Sequence, residues 1–154
     1  MKTLLVPIDF SRVSRYVLAE AAKLARLTRS RIALLHVVQP PTVISDYGPV
    51  FESVVQFTAQ AEKASARRLA SLKAKLKAGG IQTVTVLKTG SPVFNILEQA
   101  KKLAAAYIVV GTHGHTAFYD LLVGSTTSGV LKRTTCPVLV VPTPSKEKTL
   151  AKKK

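Results

Sequence analysis

The sequence lacks the features that mark secreted, disulfide-linked or membrane-spanning proteins. It has one cysteine, Cys136, so no internal disulfide can form, and a small buried apolar side chain is its expected role. No apolar run approaches the ~20 residues that a transmembrane helix needs. Residues 1–8 hold a lysine and a short apolar run containing Pro7, without a small-residue cleavage site nearby. We therefore expect a cytoplasmic protein with no membrane span.

Acidic residues are also scarce. Asp and Glu number 8 against 23 Lys and Arg, which gives a formal net charge of +15 at pH 7. Apart from residues 146–154 the excess is spread along the chain, so it predicts a general attraction for anions and no defined footprint. Because no aromatic stacking platform, RNP motif or zinc spacing is evident, nucleic-acid association is a less favoured interpretation of this charge.

The length of 154 residues and a hydrophobic fraction of 47% suit one globular domain with a buried core. In our interpretation residues 1–142 form this domain. Residues 143–154 form a basic tail that we expect to be flexible.

Short apolar runs alternate with helical patterns through the domain. Strands are predicted at residues 3–8, 31–38, 82–88, 107–110 and 138–141. Helices are predicted at 11–28, 52–78, from 91 onward and at 125–132, with Ser11 and Ser91 as N-caps. The inner face of the second helix is predicted to consist of Phe57, Ala61, Leu69, Leu72 and Leu76.

Strands that alternate with helices predict an α/β fold, a five-stranded parallel sheet with helices on both faces. A Rossmann-like or flavodoxin-like strand order, 3-2-1-4-5, places strands 1 and 4 side by side. Asp9 and Gly111 then stand at the carboxyl ends of these two strands. Since ligands bind at that point in such sheets, we expect a binding site there.

The residues after the fourth predicted strand form a glycine-rich loop. Gly111, Gly114 and Gly124 are separated by two and by nine residues, and Ser125 and Thr126 follow the last glycine. Glycines let a backbone approach a ligand closely, and hydroxyls that open a helix lie beside unpaired N–H groups. This chemistry suits phosphate, although the spacing fits neither GxxxxGK[ST] nor GxGxxG.

The spacing does match G-2x-G-9x-G-[ST], the nucleotide-binding pattern of the universal stress protein family. The chain resembles that family in four further motifs, which occur in the same order. They are LLVPIDFS at 4–11, ALLHVV at 33–38, GSP at 90–92 and CPVLVVP at 136–142. The resemblance covers residues 2–142.

The resemblance implies an adenine-nucleotide site. In members that bind ATP, the loop glycines and following hydroxyls hold ribose and phosphates, the aspartate after strand 1 contacts adenosine, and a strand 2 valine offers its backbone to adenine. The positions implied here are Pro7, Asp9, Val37, Gly111, Gly114, Gly124, Ser125 and Thr126. ATP, with or without Mg²⁺, is the implied ligand, and AMP and cyclic nucleotides stay open.

The resemblance also implies a nucleotide-responsive regulator of the stress response. No general base or Walker-type carboxylate is evident near a γ-phosphate, so we expect at most slow hydrolysis. A homodimer is expected through the last strand, Val138–Val141, with a further protein partner left undefined. The alternatives are an interaction or chaperone-like module in which nucleotide is incidental, and a basic protein associated with nucleic acid.

The three histidines have less specific interpretations. His36 lies within an apolar strand and is predicted to be a hydrogen-bonded core residue. His113 and His115 flank Gly114 without a third metal ligand nearby in sequence, so we interpret them as loop residues and not as metal ligands.

Overall fold

The computed structural model describes residues 1–41, 51–112 and 123–142. The strands are β1 (Thr3–Pro7), β2 (Arg31–Val38), β3 (Thr83–Thr89), β4 (Tyr107–Gly111) and β5 (Val138–Val141). The helices are α1 (Ser14–Thr28), α2 (Phe51–Ala78), α3 (Pro92–Lys102) and α4 (Ser125–Leu131). The predictions for His113, Gly114 and His115, and for the tail, lie outside the described residues.

The strands form one parallel sheet in the order β3-β2-β1-β4-β5, which confirms the predicted fold class and strand order. β1 lies between β2 and β4, where Val6 pairs with Leu34 and Leu5 with Ile108. Its side chains Leu4, Leu5 and Val6 are fully buried. A continuous apolar strand of this kind needs a cover on both faces of the sheet.

Two hydrophobic cores provide that cover. One core packs α1 and α2 against one face, through residues such as Val17 and Leu69 over Val6. The other packs α3 and α4 against the opposite face, through Ile96 and Val130 over Leu5. Among the described residues, no helix has the length and apolarity needed to cross a bilayer.

Helix α1 begins later than predicted. Ser11 is not its N-cap; Val13 holds that position without a side-chain cap, and the first helical residue is Ser14. The reason is the carboxylate of Asp9, whose Oδ1 accepts hydrogen bonds from the Ser11 N–H and the Ser14 hydroxyl, each at 2.9 Å. A short turn from Asp9 to Val13 therefore replaces the first predicted turn of helix.

Helix α2 extends beyond the sheet, and the prediction for Phe57 is wrong. Its side chain is 58% exposed, although Leu69 of the same predicted face is buried. The chain passes from the end of α2 through residues 79–82 into β3, while Glu62 accepts a hydrogen bond from Thr89, the last residue of β3. Residues before Glu62 thus lie past the carboxyl ends of the described strands, which do not cover them.

The starts of α3 and α4 and the two edges of the sheet agree more closely with the predictions from the sequence. Ser91 is the N-cap of α3 by position, with Pro92 as the first helical residue, although no side-chain cap forms. Gly124, and not Ser125, is the N-cap of α4. β3 is an edge strand as predicted, and β5 forms the other edge.

Candidate functional site

A cavity of about 380 Å³ opens at the carboxyl ends of β1 and β4, where the strand order reverses. Its volume lies within the range of small-molecule sites, ~300–1,000 Å³. All seven described residues of the predicted site line it: Pro7, Asp9, Val37, Gly111, Gly124, Ser125 and Thr126. The structure thus brings together stretches that lie more than a hundred residues apart, whereas Gly114 is outside the described residues.

The carboxylate of Asp9 is held in place at the start of α1. Its Oδ1 accepts the two hydrogen bonds from Ser11 and Ser14, and Ser14 is only 7% exposed. A negative charge before the first turn of a helix is favoured by the helix dipole. Ser14 also lines the cavity, and it was missed from the sequence because a contact five residues away has no simple motif.

The residue after Asp9 adopts an unusual backbone conformation. Phe10 has φ of 59°, in the left-handed region that costs a non-glycine residue about 1–2 kcal/mol. Arg68 of α2 holds this turn from outside, because its Nη2 donates to the Phe10 carbonyl at 3.4 Å and its guanidinium lies over the ring. The ring of Phe10 also meets His36, with 4.4 Å between the two ring centres.

His36 is hydrogen-bonded as predicted but is a cavity-wall residue instead of a core residue. Its Nδ1 lies 2.7 Å from the Ile8 carbonyl oxygen, and since a carbonyl can only accept, Nδ1 carries the proton. The side chain is half-buried and lines the cavity. The hydrogen bond fixes the end of β1 to the end of β2, directly before Asp9.

Helix α4 and the loop before it form the opposite wall. The buried Thr127 donates its hydroxyl to the Gly111 carbonyl at 2.7 Å, and the Gly124 N–H donates to the Thr112 carbonyl at 2.6 Å. These bonds join the start of α4 to the end of β4. Ser125 is exposed at the cavity, in a first turn whose N–H groups have no partner within the helix.

A glycine brings α4 close to α3. A Cβ at Gly129 would stand 2.8 Å from Cγ2 of Val93, which is closer than side-chain carbons approach each other. No larger residue fits there without a shift of the Val93 side chain or of one helix. Gly129 therefore sets the position of α4, and with it the position of Ser125 and Thr126.

The remaining walls of the cavity are mainly apolar. Helix α1 contributes Val17, α3 contributes Ile96, and the strands contribute Leu35 and Val110. Asp9 is the one carboxylate among the described lining residues. The same described part of the chain has no group of three or more His, Cys, Asp or Glu side chains placed to hold a metal ion. The cavity therefore combines an apolar interior with one carboxylate and a wall of hydroxyl and backbone groups.

Cys136 lies apart from this site. It is half-buried against the α3/α4 core, and its thiol donates to the Ala105 carbonyl at 3.1 Å. Burial raises the pKa of the thiol above its ordinary value, and so the neutral form is favoured. This agrees with the predicted role of a small apolar residue, although the side chain is less buried than expected.

Comparison with known proteins identifies the family. Residues 1–142 match the model of the universal stress protein family. The chain belongs to this family. It is 30% identical over 143 residues to universal stress protein YxiE of Bacillus subtilis, covering 90% of this chain and 97% of YxiE. The structure of MJ0577, a protein of Methanocaldococcus jannaschii, superposes with a TM-score of 0.84 at 25% identity and covers 94% of this chain and 98% of MJ0577.

Two more distant universal stress proteins share the fold and have been solved with ligands. One, in complex with cAMP, has a TM-score of 0.63 at 21% identity and covers 93% of this chain and 98% of its own. The other, from Archaeoglobus fulgidus in complex with dAMP, has a TM-score of 0.64 at 19% identity and covers 92% of this chain and 98% of its own.

Proposed function

We propose that this universal stress protein binds an adenine nucleotide, ATP foremost, in the cavity between β1 and β4. In this proposal nucleotide occupancy switches its action as a stress regulator. The observation that carries the proposal is the convergence of Asp9, Val37, Gly111 and the 124–126 segment on one cavity of suitable volume. The complexes of two relatives with cAMP and dAMP support an adenine ligand, because the adenine base is common to both.

Each part of the nucleotide has a chemically suitable wall. The backbone of Val37 can pair with the adenine edge, and the apolar side chains can contact the base. The carboxylate of Asp9, which Ser11 and Ser14 hold in place, can accept a ribose hydroxyl. Gly111 and Gly124 allow the phosphates to approach the backbone, and Ser125 and Thr126 can donate hydroxyls to them.

Phosphate charge and Mg²⁺ fit the same arrangement. The net charge of +15 attracts a polyphosphate to the protein. Mg²⁺ is commonly bound through one or two carboxylates together with substrate phosphates, so in this proposal it enters with the nucleotide and not as a resident ion. Slow turnover is part of the proposal, since regulation by occupancy requires that the bound nucleotide persists.

The proposal also includes a homodimer formed through β5. β5 is an edge of the sheet, and its Leu139 is 38% exposed. Pairing two such strands across a twofold axis would satisfy their backbone groups and cover the apolar side chains. A dimer mass in light scattering at micromolar concentration supports this assembly, and a monomer mass overturns it.

Calorimetric titration of ATP with Mg²⁺ into nucleotide-free protein tests the binding site. A glutamate at position 125 would place a negative charge beside the phosphates while suiting the start of a helix. We expect micromolar binding by the wild type, at least ~10-fold weaker binding by Ser125→Glu, and near wild-type binding by the neutral Ser125→Gln. Adenosine, which lacks phosphates, should bind both variants alike.

Two results would count against the proposal. Absence of ATP binding to the wild type would favour the interaction module in which nucleotide is incidental. Equal ATP affinity of Ser125→Glu and Ser125→Gln would show that the phosphates do not lie at the start of α4.

A further inference from the structure

Among the described helices, positive charge is concentrated on one side of the sheet. Residues 12–29, which contain α1, and α2 together carry eleven Lys and Arg against three Glu. On the opposite side, residues 91–104 and 124–135 carry four against one. The charge that is spread evenly along the sequence is therefore one-sided in space, because α1 and α2 pack on the same face.

The densest part of this charge is a segment of α2 that we call the α2 basic stretch, residues 63–77. It contains no acidic residue over ~21 Å of helix, taking 1.5 Å per residue. Its cations are Lys63, Arg67, Arg68, Lys73, Lys75 and Lys77. The exposed residues between them include Ala64, Ala66, Ala70 and Ala74. Small side chains at these positions leave the helix surface open to close approach by a partner.

Four of these cations are available to a partner. Lys63, Arg67, Lys75 and Lys77 are exposed, and within the described residues none of their side chains forms a hydrogen bond or an ion pair. Two glutamates of this side have other contacts, since Glu20 pairs with Lys23 and Glu62 accepts the bond from Thr89. No acidic neighbour in the described chain therefore neutralises the four.

Helix α1 widens the charged surface. Its Arg26 donates to the Gly79 carbonyl just after the α2 basic stretch, at 3.3 Å, so the last turn of α1 lies beside the end of α2. Arg12, Arg15 and Arg29 are exposed along or beside α1. The cations thus form a surface two helices wide.

We propose that the α2 basic stretch and the neighbouring α1 arginines bind the phosphate backbone of double-stranded nucleic acid, without regard to its sequence. A duplex offers one negative charge per ~1.7 Å of its axis, and cations that contact it release counterions. Guanidinium groups suit this role because they hold phosphate through two parallel hydrogen bonds. This binding is independent of the nucleotide cavity, which opens at the strand ends.

The composition of the surface favours a duplex over a membrane surface or a single strand as its partner. A helix that binds a membrane surface inserts Trp, Phe or Leu between its cations, whereas the α2 basic stretch has exposed alanines there. Single strands are held by stacking of bases on aromatic side chains, and the stretch has no aromatic residue. The exposed Phe57 precedes the stretch, on the part of α2 beyond the sheet.

Fluorescence anisotropy with a labelled DNA duplex of ~21 base pairs, or about two helical turns, tests this proposal. The full chain, without ATP, is compared with two quadruple variants that lose the same net charge. One carries Lys63→Gln, Arg67→Gln, Lys75→Gln and Lys77→Gln. The matched control carries Lys101→Gln, Lys102→Gln, Lys132→Gln and Arg133→Gln, all exposed on the α3/α4 side. Both retain the basic tail, and thermal unfolding checks that both are folded.

We expect the α2 variant to bind at least ~10-fold more weakly at about 50 mM salt, and the control to weaken by less than about threefold. The slope of log affinity against log salt should become shallower by about 0.9 for each phosphate that the variant no longer neutralises. Equal weakening in the two variants would overturn the proposal, because it would reflect net charge alone. Binding to phosphatidylserine vesicles without binding to the duplex would overturn it as well.

If the α2 variant does not fold, a charge-preserving exchange replaces it. Lys63→Arg, Arg67→Lys, Lys75→Arg and Lys77→Arg should keep duplex affinity within about threefold of wild type and leave its salt slope unchanged. A loss of more than about tenfold in this folded protein would contradict binding through positive charge.

Discussion

The guanidinium of Arg68, on α2, lies over the ring of Phe10, with 4.1 Å between its central carbon and the ring centre. Phe10 directly follows Asp9 and has a left-handed backbone. A helix on one face of the sheet thereby supports the turn that carries the candidate ribose-binding carboxylate. We infer that Arg68 positions Asp9 without touching the nucleotide.

Replacement of Arg68 by alanine should therefore affect both stability and binding. The removal of an exposed cation–π interaction and a long hydrogen bond should lower the free energy of unfolding by about 1 kcal/mol. ATP and adenosine affinities should both fall severalfold, since the ribose is common to them. Arg67→Ala removes the neighbouring exposed arginine, whose side chain forms no hydrogen bond to the described residues, and serves as the control in calorimetry. Equal nucleotide affinity of the two variants would show that Arg68 does not position the site.

Substitution can separate the structural role of the Asp9 carboxylate from its proposed role in binding. Asparagine keeps one oxygen for the Ser11 N–H and the Ser14 hydroxyl but replaces the other with an NH₂ group, which cannot accept a ribose hydroxyl. Asp9→Asn should therefore melt near the wild-type temperature and bind ATP at least ~10-fold more weakly. Asp9→Ala should lose binding and also about 1 kcal/mol of stability, because the Ser11 N–H and the Ser14 hydroxyl lose their acceptor. Wild-type ATP affinity of Asp9→Asn would place the ribose elsewhere.

The close approach of Gly129 to Val93 predicts that the effect of Gly129→Ala on stability changes sign when Val93 is shortened. In the wild type, Gly129→Ala should destabilise the protein, because the strain of overpacking, about 1–3 kcal/mol, outweighs the gain of about 1 kcal/mol in helix propensity. In a Val93→Ala background the space is free, and the same change should stabilise by up to about 1 kcal/mol. Denaturant unfolding of the wild type, the two single variants and the double variant measures this double-mutant cycle. Effects of the same sign in both backgrounds would contradict the close packing of α4 on α3.

The thiol of Cys136 predicts a dependence of stability on pH. Burial raises its pKa in the folded protein above the ordinary value of 9.0, so the unfolded chain loses the proton first as pH rises. The contribution of the neutral thiol to the free energy of unfolding is fully present below pH 9.0 and is lost as pH rises through the folded pKa. Between neutral pH and pH values above 9.0, the thermal unfolding temperature of the wild type should therefore fall more than that of Cys136→Ala. Parallel curves would show that the thiol has the same pKa in both states.

The fold, and the convergence of Asp9 and Gly111 at one crevice, followed from local pattern and the rules of parallel sheets. Pro7 and Val37 were implied only by the family resemblance. The apolar run at Tyr107–Val110 and the turn at Asp9 mark strand ends, and the order 3-2-1-4-5 brings them together. Ser14 and Thr127 were missed because each acts through one hydrogen bond that leaves no periodic signal. The contact of Arg68 with Phe10 joins residues 58 positions apart, which no local pattern can predict.

Two further differences between the sequence pattern and the structure have a shared geometric cause. The helical period placed Phe57 on the inner face, but periodicity cannot tell where a sheet ends beneath a long helix. The distribution of charge along the sequence likewise does not show its distribution in space, since only the packing of α1 beside α2 puts their cations on one side. Both features depend on which elements are neighbours in space.

Amide chemical-shift mapping of nucleotide-free, isotopically labelled protein during titration with ATP and Mg²⁺ tests whether the nucleotide binds between β1 and β4. We expect saturable shifts of the Val37, Gly111, Gly124 and Ser125 amides at micromolar ATP. The α2 basic stretch should change little. Shifts confined to residues 63–77, or no saturable shift at the cavity, would contradict a nucleotide site between β1 and β4.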